Sequence, residues 1–203
     1  MLPVMLICIC IFSMIFKYKL RTLEKEEQQQ QDEMLRLERK ASLPIKRSMD
    51  DLSFLAVSLD KLPFQENPPA ELAAYQDQIK ALSKKKLCNL SGISNTDLKL
   101  KYGAGNLDEL SAYDQNYTLF IRTLADWGSW LYEHDLPQDA QMVLEYAKDC
   151  SSDIRKNYAT LAKIYKDQNQ FEKIYNLLSF VETIPSTLDL KKPIYQVLND
   201  YKD

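Results

Sequence analysis

The chain has 203 residues and a formal net charge of −3 at neutral pH. That length accommodates one folded domain with an appendage, and the small negative charge argues against nucleic acid as a partner, because nucleic-acid-binding proteins usually present a strongly basic face. Only four glycines occur, whereas Leu, Ala, Lys, Glu and Gln are abundant. This composition disfavours sandwiches, barrels and glycine-rich phosphate loops and predicts an all-α fold.

The first sixteen residues, MLPVMLICICIFSMIF, carry no charge and precede the basic segment KYKLR. As a helix they would span about 24 Å, and residues 17–20 extend it toward the roughly 30 Å of a hydrocarbon core. A cleaved signal peptide is the alternative, but it needs a basic start and a small-residue cleavage site. We therefore expect a transmembrane anchor over residues 1–20. The predicted membrane-interface residues are Lys17, Tyr18, Lys19 and Arg21.

Positive charge follows the apolar run and does not precede it. The positive-inside rule then predicts a single-pass protein of the cell membrane, with its N-terminus outside and its C-terminal domain in the cytoplasm. The cysteines agree with a reducing compartment, because they form no CxxC motif. They are Cys8, Cys10, Cys88 and Cys150.

Residues 21–47 form a charged segment that we interpret as a helical stalk followed by a linker. A 3-4 spacing in and around it is typical of a coiled-coil seam, although the middle of the seam is polar. The seam consists of Leu20, Leu23, Glu27, Gln30, Met34, Leu37 and Ala41. A homodimer through this seam and a solitary charged helix fit the pattern equally well. Pro44 ends the stalk, and PIKR forms the linker with a small basic patch.

Residues 48–106 are predicted to be the helical N-terminal part of the soluble domain. Capping and apolar spacing predict helices over 49–62 and 68–87. The glycine-rich stretch 89–106 lacks dinucleotide and P-loop spacing. We interpret it as a short helix, TDLKLKY, capped by Ser94 or Asn95 and closed by Gly103 with left-handed geometry. A binding loop is the alternative function of this stretch.

Residues 107–203 are predicted to form helical repeats with a C-terminal capping helix. A single helix can run from Leu107 to about Glu133, because its apolar residues keep 3-4 spacing throughout. A second pattern follows: the shift that places Leu124 on Tyr158 also places Gly128 on Ala162. The first unit carries Leu124, Trp127, Gly128, Leu131, Ala140, Leu144 and Ala147, and the second carries Tyr158, Leu161, Ala162, Tyr165, Leu178 and Pro185.

A 34-residue period of two helices is typical of the tetratricopeptide repeat, and the chain resembles that family over about residues 124–186. Two departures stand out. Ile174 replaces a small residue, and Asp135 and Asn169 replace the turn glycine, although both residue types tolerate left-handed geometry. The sequence KKPIYQVLNDYKD is predicted to be the solvating end helix of the stack.

The resemblance implies a protein-binding module in which the first helix of each pair lines a groove for peptides. Lysines and a tyrosine there can hold a short acidic or C-terminal peptide segment; plain solvated helix faces are the alternative. The candidate groove residues are Arg122, Asp126, Ser129, Tyr132, Lys156, Thr160, Lys163 and Lys166.

No catalytic site is predicted. His134 is the only histidine, which excludes multi-histidine metal sites and histidine-based triads, and we expect neither a metal nor a cofactor. The predicted function is that of a membrane-anchored, cytoplasm-facing adaptor or scaffold that binds a protein or peptide, with membrane lipid contacted through the N-terminal helix. The alternative is a structural membrane protein that self-associates through the stalk and has no client-binding groove.

Overall fold

A computed structural model of the chain describes residues 17–21, 25, 27–39, 45–184 and 188–199. All regular secondary structure in these residues is helical, which confirms the predicted all-α class. No helix within the described ranges is long and apolar enough to cross a membrane. The apolar run of the predicted transmembrane anchor, residues 1–16, lies outside those ranges.

Residues 21, 25 and 27–39 of the predicted stalk are helical and exposed, and so are residues 17–20, which belong to the end of the predicted anchor. Beyond residue 45 the α-helices are α1 (Ala70–Leu82), α2 (Asn95–Tyr102), α3 (Leu107–Glu133), α4 (Pro137–Asp149), α5 (Arg155–Asp167), α6 (Phe171–Val181) and α7 (Lys191–Asn199). Short 3-10 turns cover Leu59–Lys61 and Ala104–Asn106. The chain divides into two compact units, residues 1–48 with 94–107, and residues 49–93 with 108–203.

In the smaller unit, residues 45–48 form a strap along the end of α2. Arg47 N–H donates to Tyr102 O at 2.9 Å, and Gly105 N–H donates to Ile45 O at 3.2 Å. The Arg47 guanidinium also donates to a carbonyl oxygen of α2. The segment predicted as a linker is therefore held by backbone hydrogen bonds.

Gly103 allows the strap to approach so closely. Its φ of +86° confirms the predicted positive φ, but its ψ of 145° is extended and not left-handed helical. A Cβ atom at this position would lie 1.9 Å from Ile45 O, so only glycine fits. The helix before it begins as predicted, because Ser94 Oγ accepts a hydrogen bond from Asp97 N–H at 3.1 Å.

Replacing Gly103 by alanine tests this close approach. We expect Gly103→Ala to release the strap, so that hydrogen exchange at the Arg47 amide becomes at least roughly tenfold faster, or ~1.4 kcal/mol. The matched control is Gly92→Ala, because Gly92 has a similar φ of +84° with no atom within 4 Å of the added Cβ. Equal exchange rates in the two variants would contradict the assignment.

In the larger unit, the core is organised around α3, which begins and ends where the sequence predicts. Phe120, Leu124 and Trp127 are fully buried along it. At its C-terminal half, α3 approaches α4 so closely that a Cβ atom at Gly128 would lie 2.5 Å from Cγ of Leu144. Because Gly128 has no side chain, the Leu144 side chain occupies the space beside its Cα atom.

The predicted helix over residues 49–62 is wrong, whereas the one predicted over 68–87 is confirmed from Ala70 to Leu82 and ends there. Apart from its 3-10 turn, the segment is extended or irregular. Leu55 N–H donates to Leu87 O, and Ser58 N–H donates to the Tyr146 hydroxyl, both at 2.9 Å. Because its backbone donors bind partners elsewhere in the larger unit, tertiary contacts outweigh a weak helix preference.

The helix pairs α3–α4 and α5–α6 repeat one another at the spacing that the sequence predicts. Asp135 and Asn169 occupy equivalent turns with φ values of 59° and 57°, the left-handed geometry expected at these two positions. Equivalent hydrogen bonds close the turns, from Leu136 N–H to Leu131 O at 2.9 Å and from Gln170 N–H to Tyr165 O at 2.7 Å. The two turns therefore repeat the same backbone conformation and hydrogen bond at the spacing found in the sequence. Pro185 lies outside the described residues.

The larger unit ends in the predicted C-terminal helix. Ile174, which stands where the tetratricopeptide pattern has a small residue, is fully buried. The last helix, α7, packs against α5 and α6 and buries Ile194 and Val197. Its remaining positions are polar or partly exposed.

Overfilling the α3–α4 contact tests its role in stability. We expect Gly128→Val to lower the free energy of unfolding by about 1–3 kcal/mol, because the Leu144 side chain has to move. Chemical unfolding followed by tryptophan fluorescence measures this loss. The double variant Gly128→Val/Leu144→Ala should lose less unfolding free energy than the sum of the two single variants, since alanine at 144 leaves room for the valine side chain. Strict additivity would show that the two sites do not share that space.

Candidate binding face

The facing edges of α3 and α5 are joined by side-chain pairs, which we call the α3–α5 seam. The pairs are Asp126 Oδ1 with Lys156 Nζ at 3.0 Å, Ser129 Oγ with Thr160 Oγ1 at 3.3 Å, and the Tyr132 hydroxyl with Asp167 Oδ2 at 2.7 Å. These contacts are spread along more than one turn of each helix. The first helices of the two pairs therefore lie side by side in a defined register.

The seam uses several of the residues predicted to line a groove. Ser129 and Thr160 are only 2% and 8% exposed, so they join the helices and offer little surface to a partner. The Asp126–Lys156 ion pair is half-exposed, and such pairs contribute little stability. It is one of the three contacts that join the facing edges of the two helices.

The other predicted residues stay accessible beside the seam. Arg122 lies one helical turn before Asp126 on α3, and Lys163 lies about one turn after Thr160 on α5, so each continues a row of the seam. Both are exposed, and Lys166 is partly buried. We call Arg122, Lys163 and Lys166 the cationic rim.

Tyr132 is held in its neutral form by its surroundings. Burial, and then the hydrogen bond and negative charge of Asp167, raise the pKa of Tyr132 to about 12. At neutral pH the phenol therefore keeps its proton, and its O–H donates a hydrogen bond to the Asp167 carboxylate. The pKa of a tyrosine is ordinarily about 10, so the stability that this group contributes is present below about pH 10 and lost as the pH rises toward 12.

Removing the charge of Asp167 tests this interpretation. We expect Asp167→Asn to lower the pKa of Tyr132 toward 10 without reaching it, because burial remains as the larger cause. An NMR titration with labelled tyrosine measures the shift. Asp135→Asn is the control, since it removes a carboxylate from the turn just beyond Tyr132. If both variants move the pKa equally, the effect is a general charge effect and the seam contact is not its cause.

A second surface feature was not predicted. A cavity of about 370 Å³ lies among the C-terminal helices, and we call it the terminal pocket. Its lining residues are Lys166, Phe171, Tyr175, Tyr195, Val197, Leu198 and Asn199. The signal available in the sequence was weak: Tyr175 and Tyr195 each follow a fully buried isoleucine, which places them at the border of an apolar stripe.

Trp130 and His134 make structural contacts at the C-terminal end of α3. The indole nitrogen of Trp130 donates to Glu71 Oε2 at 3.0 Å and so ties α3 to α1. The His134 ring stacks on the Trp130 ring with a centroid separation of 3.7 Å. Its Nδ1 lies 2.8 Å from Trp130 O, and the side chain is exposed in the turn after α3.

The cysteines of the larger unit are chemically quiet. Cys88 and Cys150 are free and buried. Burial raises the pKa of Cys150 to about 11, so the reactive thiolate is scarce at neutral pH. Within the described ranges, no group of three or more His, Cys, Asp or Glu side chains is placed to hold a metal ion.

Comparisons with protein-family models, curated proteins and solved structures find no match to this chain. The features of the chain that bear on function are therefore the α3–α5 seam, the cationic rim and the terminal pocket.

Proposed function

We propose that this protein is a membrane-anchored, cytoplasm-facing adaptor whose tetratricopeptide-like helix pairs bind another protein or peptide. The observation that carries the proposal is the repetition of the α3–α4 pair by α5–α6, down to the φ values of Asp135 and Asn169. A 34-residue unit of two helices is the tetratricopeptide pattern. Stacks of such units present their first helices as an extended binding surface.

The α3–α5 seam supports a preformed face. Because side-chain pairs already hold the two helices in register, a partner would not have to order them, and this lowers the cost of binding. The cationic rim supplies the charge of that face. The guanidinium of arginine and the ammonium of lysine favour carboxylates, so the partner segment is expected to be acidic.

Catalysis has little support from the side chains present. The buried thiols have raised pKa values, and the single histidine stacks on Trp130 in an exposed turn. Attachment to lipid follows from the apolar run at residues 1–16. A binding role without a cofactor is the simplest function that fits these features.

Position-specific photo-crosslinking of the full chain in its own membranes tests the proposal. A photoreactive residue in place of Arg122 or Lys163 should give discrete adducts with another protein. The control position is Lys84, which is exposed in the turn after α1. In the charge-reversed variant Arg122→Glu/Lys163→Glu, adducts from a third photoreactive position at Lys156 should fall at least roughly tenfold, because an acidic partner is repelled. Equal adducts at Lys84 and Lys163 would contradict a binding face here.

A second candidate function, a self-associating structural protein, is favoured by one observation. Met34 and Leu37 on the predicted coiled-coil seam are 68% and 43% exposed. Exposed apolar residues at 3-4 spacing on a helix are typical of an interface between helices.

The oligomeric state of the full chain in detergent separates the two candidates. Under the structural alternative, Met34→Glu/Leu37→Glu should convert an oligomer to a monomer, whereas Gln28→Glu/Gln29→Glu should leave it unchanged. Light scattering gives the mass. A monomeric wild-type chain would exclude the alternative.

A further inference from the structure

The terminal pocket has an unusual lining for an exposed surface. Tyr175 and Tyr195 both line it, and they are 60% and 49% exposed. Beside them lie the apolar side chains of Phe171, Val197 and Leu198. Apolar and aromatic surface that is concave and open to solvent is typical of a site that another molecule covers.

The size of the pocket suits one large side chain. Its volume of about 370 Å³ lies near the lower limit for ligand pockets. Two tyrosine rings beside apolar side chains favour an aromatic or large aliphatic group, because aromatic pairs gain energy beyond simple burial. Single residues of this kind often dominate the affinity of a protein–peptide interface when they enter a pocket.

The charge of the pocket indicates which residue type would lie beside the bound side chain in the ligand. Lys166 is the one charged residue among the described lining residues, and the tyrosine hydroxyls and the Asn199 amide supply the other polar groups. The described lining therefore contributes one positive charge and no carboxylate. A carboxylate on the ligand would complement that charge.

Lys166 also belongs to the cationic rim, so the pocket lies at one end of the proposed binding face. We propose that the terminal pocket binds an aromatic or large aliphatic side chain of an extended partner peptide, with an acidic residue beside it paired to Lys166. This inference rests on the proposed adaptor function and gives its partner a stated chemistry. It requires affinity to depend on one apolar residue, and not on acidity alone.

Similar chemistry occurs in the sequence directly after the lining residue Asn199. The sequence after Asn199 is Asp-Tyr-Lys-Asp, residues 200–203. A chain that ends at Asn199 is therefore compared with the full chain, so that occupation by the chain's own residues is a separate outcome.

The test uses the full chain in nanodiscs and a fluorescein-labelled peptide, Gly-Ser-Asp-Glu-Phe-Asp-Ser-Gly. One matched peptide has alanine in place of phenylalanine, and another has amides in place of the carboxylates. We expect the alanine peptide to bind at least roughly tenfold more weakly by fluorescence anisotropy. The amide peptide should bind roughly fivefold more weakly and lose its salt dependence.

Variants of the chain locate the site. Tyr175→Ala and Tyr195→Ala should each weaken the phenylalanine peptide by roughly tenfold and remove its advantage over the alanine peptide. The control is Met142→Ala, an exposed apolar residue of α4 outside the pocket. Lys166→Gln should weaken only the peptides that carry carboxylates, whereas Lys84→Gln should change nothing.

Any of four outcomes would overturn the inference. The phenylalanine and alanine peptides could bind equally, or Tyr175→Ala could behave like Met142→Ala. Binding that appears only in the chain ending at Asn199 would assign the pocket to residues 200–203, and binding that falls as chain concentration rises would assign it to a second copy. Failure here is distinct from failure of the adaptor function, because crosslinking from Arg122 and Lys163 does not involve the tyrosines of the pocket.

Discussion

The close approach of α3 and α4 at Gly128 is the contact on which the larger unit depends. The glycine leaves the space that Leu144 fills, since any Cβ there would lie 2.5 Å from Cγ of that leucine. Trp127, beside the glycine, is fully buried. The turn that contains Asp135 reverses the chain between α3 and α4. In the second helix pair the equivalent position is Ala162, which is also fully buried, so a small residue serves the same packing role in both pairs.

The repeated helix pair determines which side chains remain accessible to solvent. Because α3 and α5 lie side by side, the polar residues between them pair with one another, and Ser129 and Thr160 are removed from solvent. The cationic rim stays accessible because it lies beyond those pairs. Of the eight candidate groove residues, five join the α3–α5 seam and three form the cationic rim beside it.

Some elements of the fold could be predicted from neighbouring residues alone, and others could not. The ends of α3, the cap at Ser94 and the left-handed turns at Asp135 and Asn169 were predictable, because capping, periodicity and positive φ are decided by a few neighbouring residues. The segment 49–62 was not predictable as extended chain. Its apolar spacing suits a helix, but its backbone donors bind Leu87 and the Tyr146 hydroxyl, which are distant in sequence.

The sequence by itself determined the all-α class, the period of the helix pairs and the residue types at each helix end, because these depend on composition and local spacing. Only the tertiary structure decided that Gly103 accommodates the strap at Ile45, that Ser129 faces Thr160, and that Tyr175 and Tyr195 meet around one cavity. The physical reason is the same in each case. Such contacts join residues that are far apart in the sequence, and their geometry follows from how helices and loops pack, which no local pattern encodes.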